Sequence, residues 1–257
     1  MTEIRHLSEA PTGRRPLAPG AGIDAHRHDT HQIVYACRGM LSVTTGAGTW
    51  VAPANRAIWI PAGTVHEHRA HGDTDLRLVG LTDNPLGLDR PAVLAVGPLL
   101  RELIIAYTTD DDARGGGDPG AGDRDDGGER SRLWAVLLDQ LRRAPEQPLH
   151  LPTAQDPRLA AVCAILHRDP ADGRTLTQLA GQAGTSDRTL ARLCRRELGM
   201  SFPQWRTQLR LHHALLLLAD GAPVTTVAHR CGWASASAFI DVFRRAFGYT
   251  PGRAFTM

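Results

Sequence analysis

The 257-residue chain contains no lysine, so each of its 29 strong positive charges is an arginine guanidinium. That group is suited to forked contacts with phosphate or with the edge of guanine. Cysteine is scarce too. Cys37, Cys163, Cys194 and Cys231 are scattered and form no CxxC pair, which argues against a zinc site or a disulfide framework and for reduced thiols. Cys194 and Cys231 fall on apolar faces of expected helices, where a thiol acts as a small hydrophobe. Cys37 would act as a sensor only in surroundings that lower its pKa. No apolar run approaches the ~18 residues needed to span a bilayer. The opening MTEIRHLSEAPTGRRP has no apolar stretch of the secretory kind, so a cytoplasmic protein with no membrane partner is expected. Also missing are a phosphate loop, a nucleotide-binding fingerprint and any Ser-His-Asp or Cys-His arrangement, which removes the commonest enzyme readings.

What is present is an ordinary globular composition, 42% hydrophobic and 22% charged, able to build a real core. The length favours one large or two medium domains. The net charge of +2 hides a division: residues 1–156 hold 16 arginines and 21 acidic residues (−5), residues 157–257 hold 13 and 6 (+7). A basic half joined to an acidic one suggests that nucleic acid is bound by one domain only.

From Gly22 to Leu81 the chain reads as short strands separated by turns. QIVYACRGMLSVTT followed by GAGTWVA suggests a hairpin, RAIWIPAGTVHEHRA a strand, a Pro-Gly turn and another strand, and DLRLVGL one more. Such spacing predicts an antiparallel barrel or sandwich. Helical periodicity appears over 97–108 and 129–144. In the second, Leu133, Val136, Leu137 and Leu141 form a stripe for either a partner helix or the domain's own barrel. The Gly- and Asp-rich stretch between them, 109–130, is expected to be a disordered loop, and the proline-rich 144–157 an interdomain linker.

The last hundred residues contain an internal repeat. Leu176, Leu179, Ala180 and Ala183 follow helical spacing up to Gly184; Ser186 is placed as an N-cap, and Leu190, Leu193, Cys194 and Leu198 form the next apolar face, closed by Gly199. The pattern returns 48 residues on as Val224, Val227, Ala228, Cys231 and Gly232, then 49 residues on as Ser235, Phe239, Val242, Phe243, Phe247 and Gly248. Each copy is a short helix, a glycine turn and a capped second helix, the pattern of a helix-turn-helix. FPQWRTQLRLHHALLLLAD, residues 202–220, reads as one connecting helix, which at ~1.5 Å per residue holds the units on the order of 25 Å apart. Successive major grooves on one face of a duplex are separated by roughly 34 Å.

These residues resemble the AraC/XylS-type bacterial transcription regulators. The carriers are LTQLAGQAGTSDRTLARLCRRELGMSFPQWRTQLRL and, more closely, PVTTVAHRCGWASASAFIDVFRRAFGYTPGRAF, with Ala228, Gly232, Trp233, Ser235, Ser237, Phe239, Phe243, Arg244, Phe247, Gly248, Thr250 and Pro251 matching the family signature. The resemblance implies an all-α domain over 157–257, two helix-turn-helix units joined by a long helix, binding promoter or operator DNA. It makes the helix from Ser186 the first recognition helix, with Arg188, Ala191 and Arg192 on the groove side and Arg192 as the leading base reader. Ser186, Thr225 and Ser235 are expected cap hydroxyls near phosphate, and Ser237, Arg244, Arg245 and Arg253 further contacts. Asp241, exposed on the second recognition helix, departs from many relatives, which carry a basic or amide residue nearby; phosphate repels it unless it accepts from cytosine N4.

Residues 1–150 resemble the cupin sensor domain that often precedes this module, an antiparallel β-barrel with two helices, binding an effector and supporting a homodimer. The first cupin motif appears as His26, His28, Gln32 and Gly39, the second as Pro61, Gly63 and His66. Together they imply a pocket of His26, His28, Gln32 and His66. Three imidazoles and an amide oxygen suit a divalent transition metal, Zn, Ni, Co, Fe or Mn. Gln32 in place of the usual Glu lowers the negative charge on offer. Three occupancies stay open: a metal, sensed itself or anchoring an organic effector; a small organic ligand without metal; or histidines satisfied by local hydrogen bonds. His31, His68 and His71 are expected to face outward.

Two functions follow: a sequence-specific regulator, activator or repressor, whose cupin domain senses a metal ion or small molecule and whose partners include RNA polymerase; or a cupin metal-dependent oxygenase with a DNA-binding tail. The tandem repeat and Gln32 favour the first, a protein that is not an enzyme.

Overall fold

The computed structural model describes residues 4–114, 126–147 and 150–253. The chain separates into two compact units, Met1–Thr45 with Trp50–Pro148, and Gly46–Thr49 with Leu149–Met257. The class is α+β, strands first and helices after.

The first unit rests on two long antiparallel strands. The strands in chain order are β1 (Arg5–Leu7), β2 (Gly13–Leu17), β3 (Gly22–His28), β4 (His31–Thr45), β5 (Gly48–Pro53), β6 (Arg56–Ile60), β7 (His66–Leu81), β8 (Ala92–Ala95), then, after helices α1 (Pro98–Arg114) and α2 (Asp126–Arg143), β9 (Glu146–Gln147) and β10 (His150–Pro152). The main path runs β1-β3-β7-β4-β6-β8-β9, with β2 also pairing β7 and β5 pairing β4. The expected barrel is therefore an open sheet among the described residues, and β1 pairs β3 in parallel. The terminal strands have three and two residues, too few ladder bonds to bridge the gap. Register shifts at Ala36–Arg38 and Arg38–Met40 kink the β4–β7 pair midway, as bulges do.

β4 is buried almost throughout because each of its faces is covered. Ile33 and Tyr35 share a core cluster with Trp59, Val79 and Leu81 and with Leu100, Ile104, Leu137 and Leu141 from the helices; Gln32 and Val34 alternate to the other face. Full burial of each large apolar side chain contributes roughly 1.5–3 kcal/mol. The α2 stripe thus serves the domain's own core through Leu137 and Leu141, while Val136 is 44% exposed. The loop expected over 109–130 is shorter, since α1 runs to Arg114 and α2 begins at Asp126; residues 115–125 lie outside the described residues. The stretch 144–157 is more than a linker, containing β9 and β10.

The second unit is helical: α3 (Pro157–Arg168), α4 (Leu176–Gln182), α5 (Asp187–Glu197), α6 (Phe202–Ala219), α7 (Val224–Arg230), α8 (Ala236–Phe247) and a 3-10 turn at Pro251–Arg253. The repeat is realised as α4–α5 and α7–α8. Ser186 and Ser235 cap the second helix of each, accepting from Thr189 and Ala238 N–H. Thr175 caps α4 in a reciprocal box with Gln178. Helix α3 went unread in the sequence despite its signals: an Asp156 cap, Pro157 at the first position, and buried Leu159, Val162, Cys163 and Leu166. Leu190, Leu193 and Cys194 of α5, and Phe239, Phe243 and Phe247 of α8, are buried as the periodicity requires, as is Cys231.

Helix α6 anchors the chain before α4. Arg206 Nη1 donates to Arg174 O at 2.9 Å and Arg210 Nε to Pro170 O at 2.9 Å. The second glycine turn packs against the same loop: Gly232 holds φ +78°, and an added Cβ would lie 2.8 Å from Ala171 Cα. Strain and collision act together there. Gly232→Ala is expected to destabilise the protein by about 1–3 kcal/mol in urea unfolding, whereas Gly181→Ala, in open space within α4, should be neutral or stabilising.

Candidate effector site and nucleic-acid interface

Strands β3 and β7 run antiparallel with His26 opposite His66. Side chains two apart share a face, so His28 joins His26 and His68 joins His66. All four are between 0 and 5% exposed. Ring centroids are 4.3 Å apart for His26–His66, 5.0 Å for His28–His66, 5.0 Å for His66–His68 and 5.6 Å for His26–His68. His26, His66 and His68 each bring a ring nitrogen within 4.8 Å of the others', a cluster able to hold a metal ion.

Backbone carbonyls set the tautomers. His26 Nδ1 lies 2.8 Å from Asp24 O, His28 Nδ1 2.6 Å from Thr30 O and His66 Nδ1 2.8 Å from Thr64 O. A carbonyl can only accept, so each Nδ1 donates and each Nε2 carries a lone pair. This is the arrangement that orients ligand imidazoles in metal sites. The turn between the motifs is tied to β3 directly: Gly63, at φ +75°, donates its N–H to His28 O at 2.8 Å.

Several buried polar atoms in this region have no hydrogen-bond partner: His28 Nε2, Gln32 Oε1, His66 Nε2 and both ring nitrogens of His68. Such atoms cost free energy unless a ligand satisfies them. The expectation that His68 faces outward is overturned, because the period-two alternation from His66 carries it inward. Gln32 is buried and held by the chain between β1 and β2, its Nε2 donating to Pro11 O at 3.3 Å. His31 is half-buried outside the cluster, stacked on Trp59 with centroids 5.0 Å apart and accepting from Ala62 N–H. His71 meets Ser42 Oγ at 2.9 Å. Cys37 is buried, and burial pushes its thiol pKa up, the opposite of the surroundings a reactive thiol needs.

In the second unit Arg188 and Arg192 are exposed one turn apart on α5, opposite the buried Leu190, Leu193 and Cys194, with Ala191 half-buried between them. Arg195 and Arg196, not singled out in the sequence, are exposed on the next turn. On α8, Ser237, Asp241, Arg244 and Arg245 are exposed, and Arg245 Nε donates to Asp241 O at 3.2 Å. Thr225 is not a cap. Pro223 takes that place in α7 with no side-chain cap bond, leaving Thr225 exposed at the second helical position, because the second repeat has Ala222 and Pro223 where the first has Arg174 and Thr175 ahead of its apolar face. The side chain of Arg253 lies outside the described residues. Arg206 and Arg210 are structural, and burial lowers both guanidinium pKa values.

A capped helix-turn-helix pair in a chain that also carries a cupin-like sheet defines a class of DNA-binding regulators. The comparisons agree. Residues 179–257 match a helix-turn-helix domain model and residues 14–82 a cupin domain model. The HTH-type transcriptional regulator NimR of Escherichia coli K12 is 35% identical over 234 residues, 89% of this chain and 80% of NimR. RipA of Corynebacterium glutamicum is 37% identical over 109 residues, 42% of this chain and 32% of RipA. Among solved structures, the DNA-binding domain of AdpA in complex with a target DNA is 33% identical over 37% of this chain and 87% of that one, with a TM-score of 0.36. The chain belongs to the AraC-type family of DNA-binding transcriptional regulators and carries an N-terminal cupin domain.

Burial lowers the pKa of His26, of His66 to about 3, and of His68 well below 6.5. Depressed folded-state values mean that the unfolded chain binds more protons below pH 6.5. The stability of the metal-free first unit is therefore complete above pH 6.5 and is lost as pH falls towards 3. Melting followed by circular dichroism from pH 7.5 to 4.5 should show this decline, and His66→Phe should flatten it.

Proposed function

We propose that this regulator is switched by a ligand in the histidine pocket, with residues 1–150 sensing and residues 157–257 engaging DNA. The observation that carries the reading is the set of buried imidazoles His26, His28 and His66, whose Nδ1 atoms are fixed by carbonyls, with the Nε2 atoms of His28 and His66 left without partners. Such a neutral donor set fits a divalent transition metal, Zn, Ni, Co, Fe or Mn, held by His26, His28 and His66 with His68 or Gln32 beside them. The bound ion supplies a fixed positive charge in the pocket; the chain's own residues supply its orientation and exclude water. The absence of a carboxylate from the set supports a sensor over an oxygenase. The protein acts in the cytoplasm as a homodimer through the outer faces of α1 and α2, where Leu99 and Val136 are exposed, and communicates with RNA polymerase at promoters.

On DNA, α5 is the principal reader, with Arg192 forked onto guanine and Arg188 and Ala191 beside it. Ser186, Ser235, Ser237, Thr225, Arg244 and Arg245 position the backbone. Asp241 on the face of α8 leaves the second unit holding phosphate more than reading bases.

Two measurements test this. Arg192→Ala should weaken specific operator binding by ~1–3 kcal/mol and relax preference at one base pair; unchanged binding in a fluorescence-anisotropy titration rejects the assignment. Elemental analysis of protein purified without chelator should find a bound transition metal in wild type and a loss in His28→Ala. An empty wild type, even after addition of each candidate ion, removes the metal and leaves an organic ligand as the occupant.

A further inference from the structure

The cupin motif gives its carboxylate position to Gln32, yet the buried ring closest to fulfilling that role is His68. It stands with His26 and His66 in the one group of ring nitrogens within 4.8 Å of each other among the described residues, and neither of its nitrogens has a hydrogen-bond partner. An imidazole 3% exposed with both nitrogens unsatisfied is an unfavourable choice for a core unless something binds it. Gln32 also keeps a buried Oε1 without a partner, but its amide is tethered to the chain between β1 and β2, Nε2 donating to Pro11 O at 3.3 Å.

Resting on the metal reading above, we propose that His68 takes the ligand place assigned by the motif to Gln32, so that an ion in this pocket is held by imidazoles alone and accepts a small carboxylate-class anion as its remaining ligand. Neutral imidazoles leave the full charge of a divalent cation uncompensated in a buried site, and a buried charge needs a partner. The surroundings point the same way. Arg5 on β1 lies directly opposite His26 in the parallel pair and its positive charge acts on His26, while that of Arg15 acts on both His26 and His68. Exposed guanidiniums on the neighbouring strands β1 and β2 disfavour a cationic ligand and favour an anion.

The test uses full-length protein loaded with Co(II), whose visible bands report its ligands. Wild type should bind one ion, and both His68→Leu and His68→Gln should bind at least about tenfold more weakly, while Gln32→Leu binds as wild type does. Acetate should shift the cobalt bands of wild type and neutral acetamide should not, and the double variant Arg5→Ala, Arg15→Ala should need several-fold more acetate. Metal-free His68→Leu should melt no lower than metal-free wild type, separating loss of a ligand from loss of the fold. Full retention of the ion by His68→Gln, or its loss in Gln32→Leu, overturns the ligand assignment while the metal reading stands. Bands that acetate leaves unmoved overturn the anion. Failure of wild type and His26→Ala alike to bind Co(II), Zn(II) or Ni(II) means that the metal reading itself has failed.

Discussion

Three backbone carbonyls, those of Asp24, Thr30 and Thr64, decide what the first unit can bind. Each occupies the Nδ1–H of a buried histidine and so places the lone pair on its Nε2. The carbonyls are placed by the sheet: β3 and β7 pair with His26 opposite His66, and the turn ahead of β7 is fastened to β3 by the Gly63–His28 hydrogen bond. The long β4–β7 pair holds that geometry rigid from the far side, backed by the apolar cluster under α1 and α2. The site is thus prepared by main-chain hydrogen bonding, and the desolvation that lowers the pKa of His26, His66 and His68 accompanies ring nitrogens of His66 and His68 that have no partner.

Much of this was legible in the chain. The repeat at 48 and 49 residues located both helix-turn-helix units, since capping and glycine turns are local chemistry and each apolar face has a clear period. His26, His28 and His66 were legible from their motifs. His68 was not, because it lies two residues past the end of the motif, although the alternation that pairs His26 with His28 applies equally to His66 and His68. The failure of the sheet to close was beyond reach, because closure depends on the lengths and register of β1 and β9, which carry three and two residues and no pattern. Helix α3 carried its cap and first residue at the end of a stretch whose prolines suggested a linker, and its apolar period just beyond that stretch.

The arginines divide into two kinds that composition alone merges. Arg206 and Arg210 donate to main-chain carbonyls of the loop before α4, and Arg158 and Arg174 pair with Asp156 and Asp172. These hold the helical unit together. Arg188, Arg192, Arg244 and Arg245 stand exposed on the second helices of the two repeats. The recognition helices thus display guanidiniums that no main-chain carbonyl of the loop before α4 engages, with Asp241 making the two copies unequal.

Helix α6 carries a consequence for how the protein's sites in a genome can vary. It is one uninterrupted rod of 18 residues between the repeats, so the angular phase between the two recognition helices is fixed by its residue count, each residue turning the rod by about 100° and advancing it by ~1.5 Å. Because Arg206 and Arg210 grip the loop before α4 from this same rod, an insertion between them and α7 would turn the second copy while the first kept its hold. Spacing within a binding sequence is consequently locked to the length of a single helix, and drift in one demands compensation in the other.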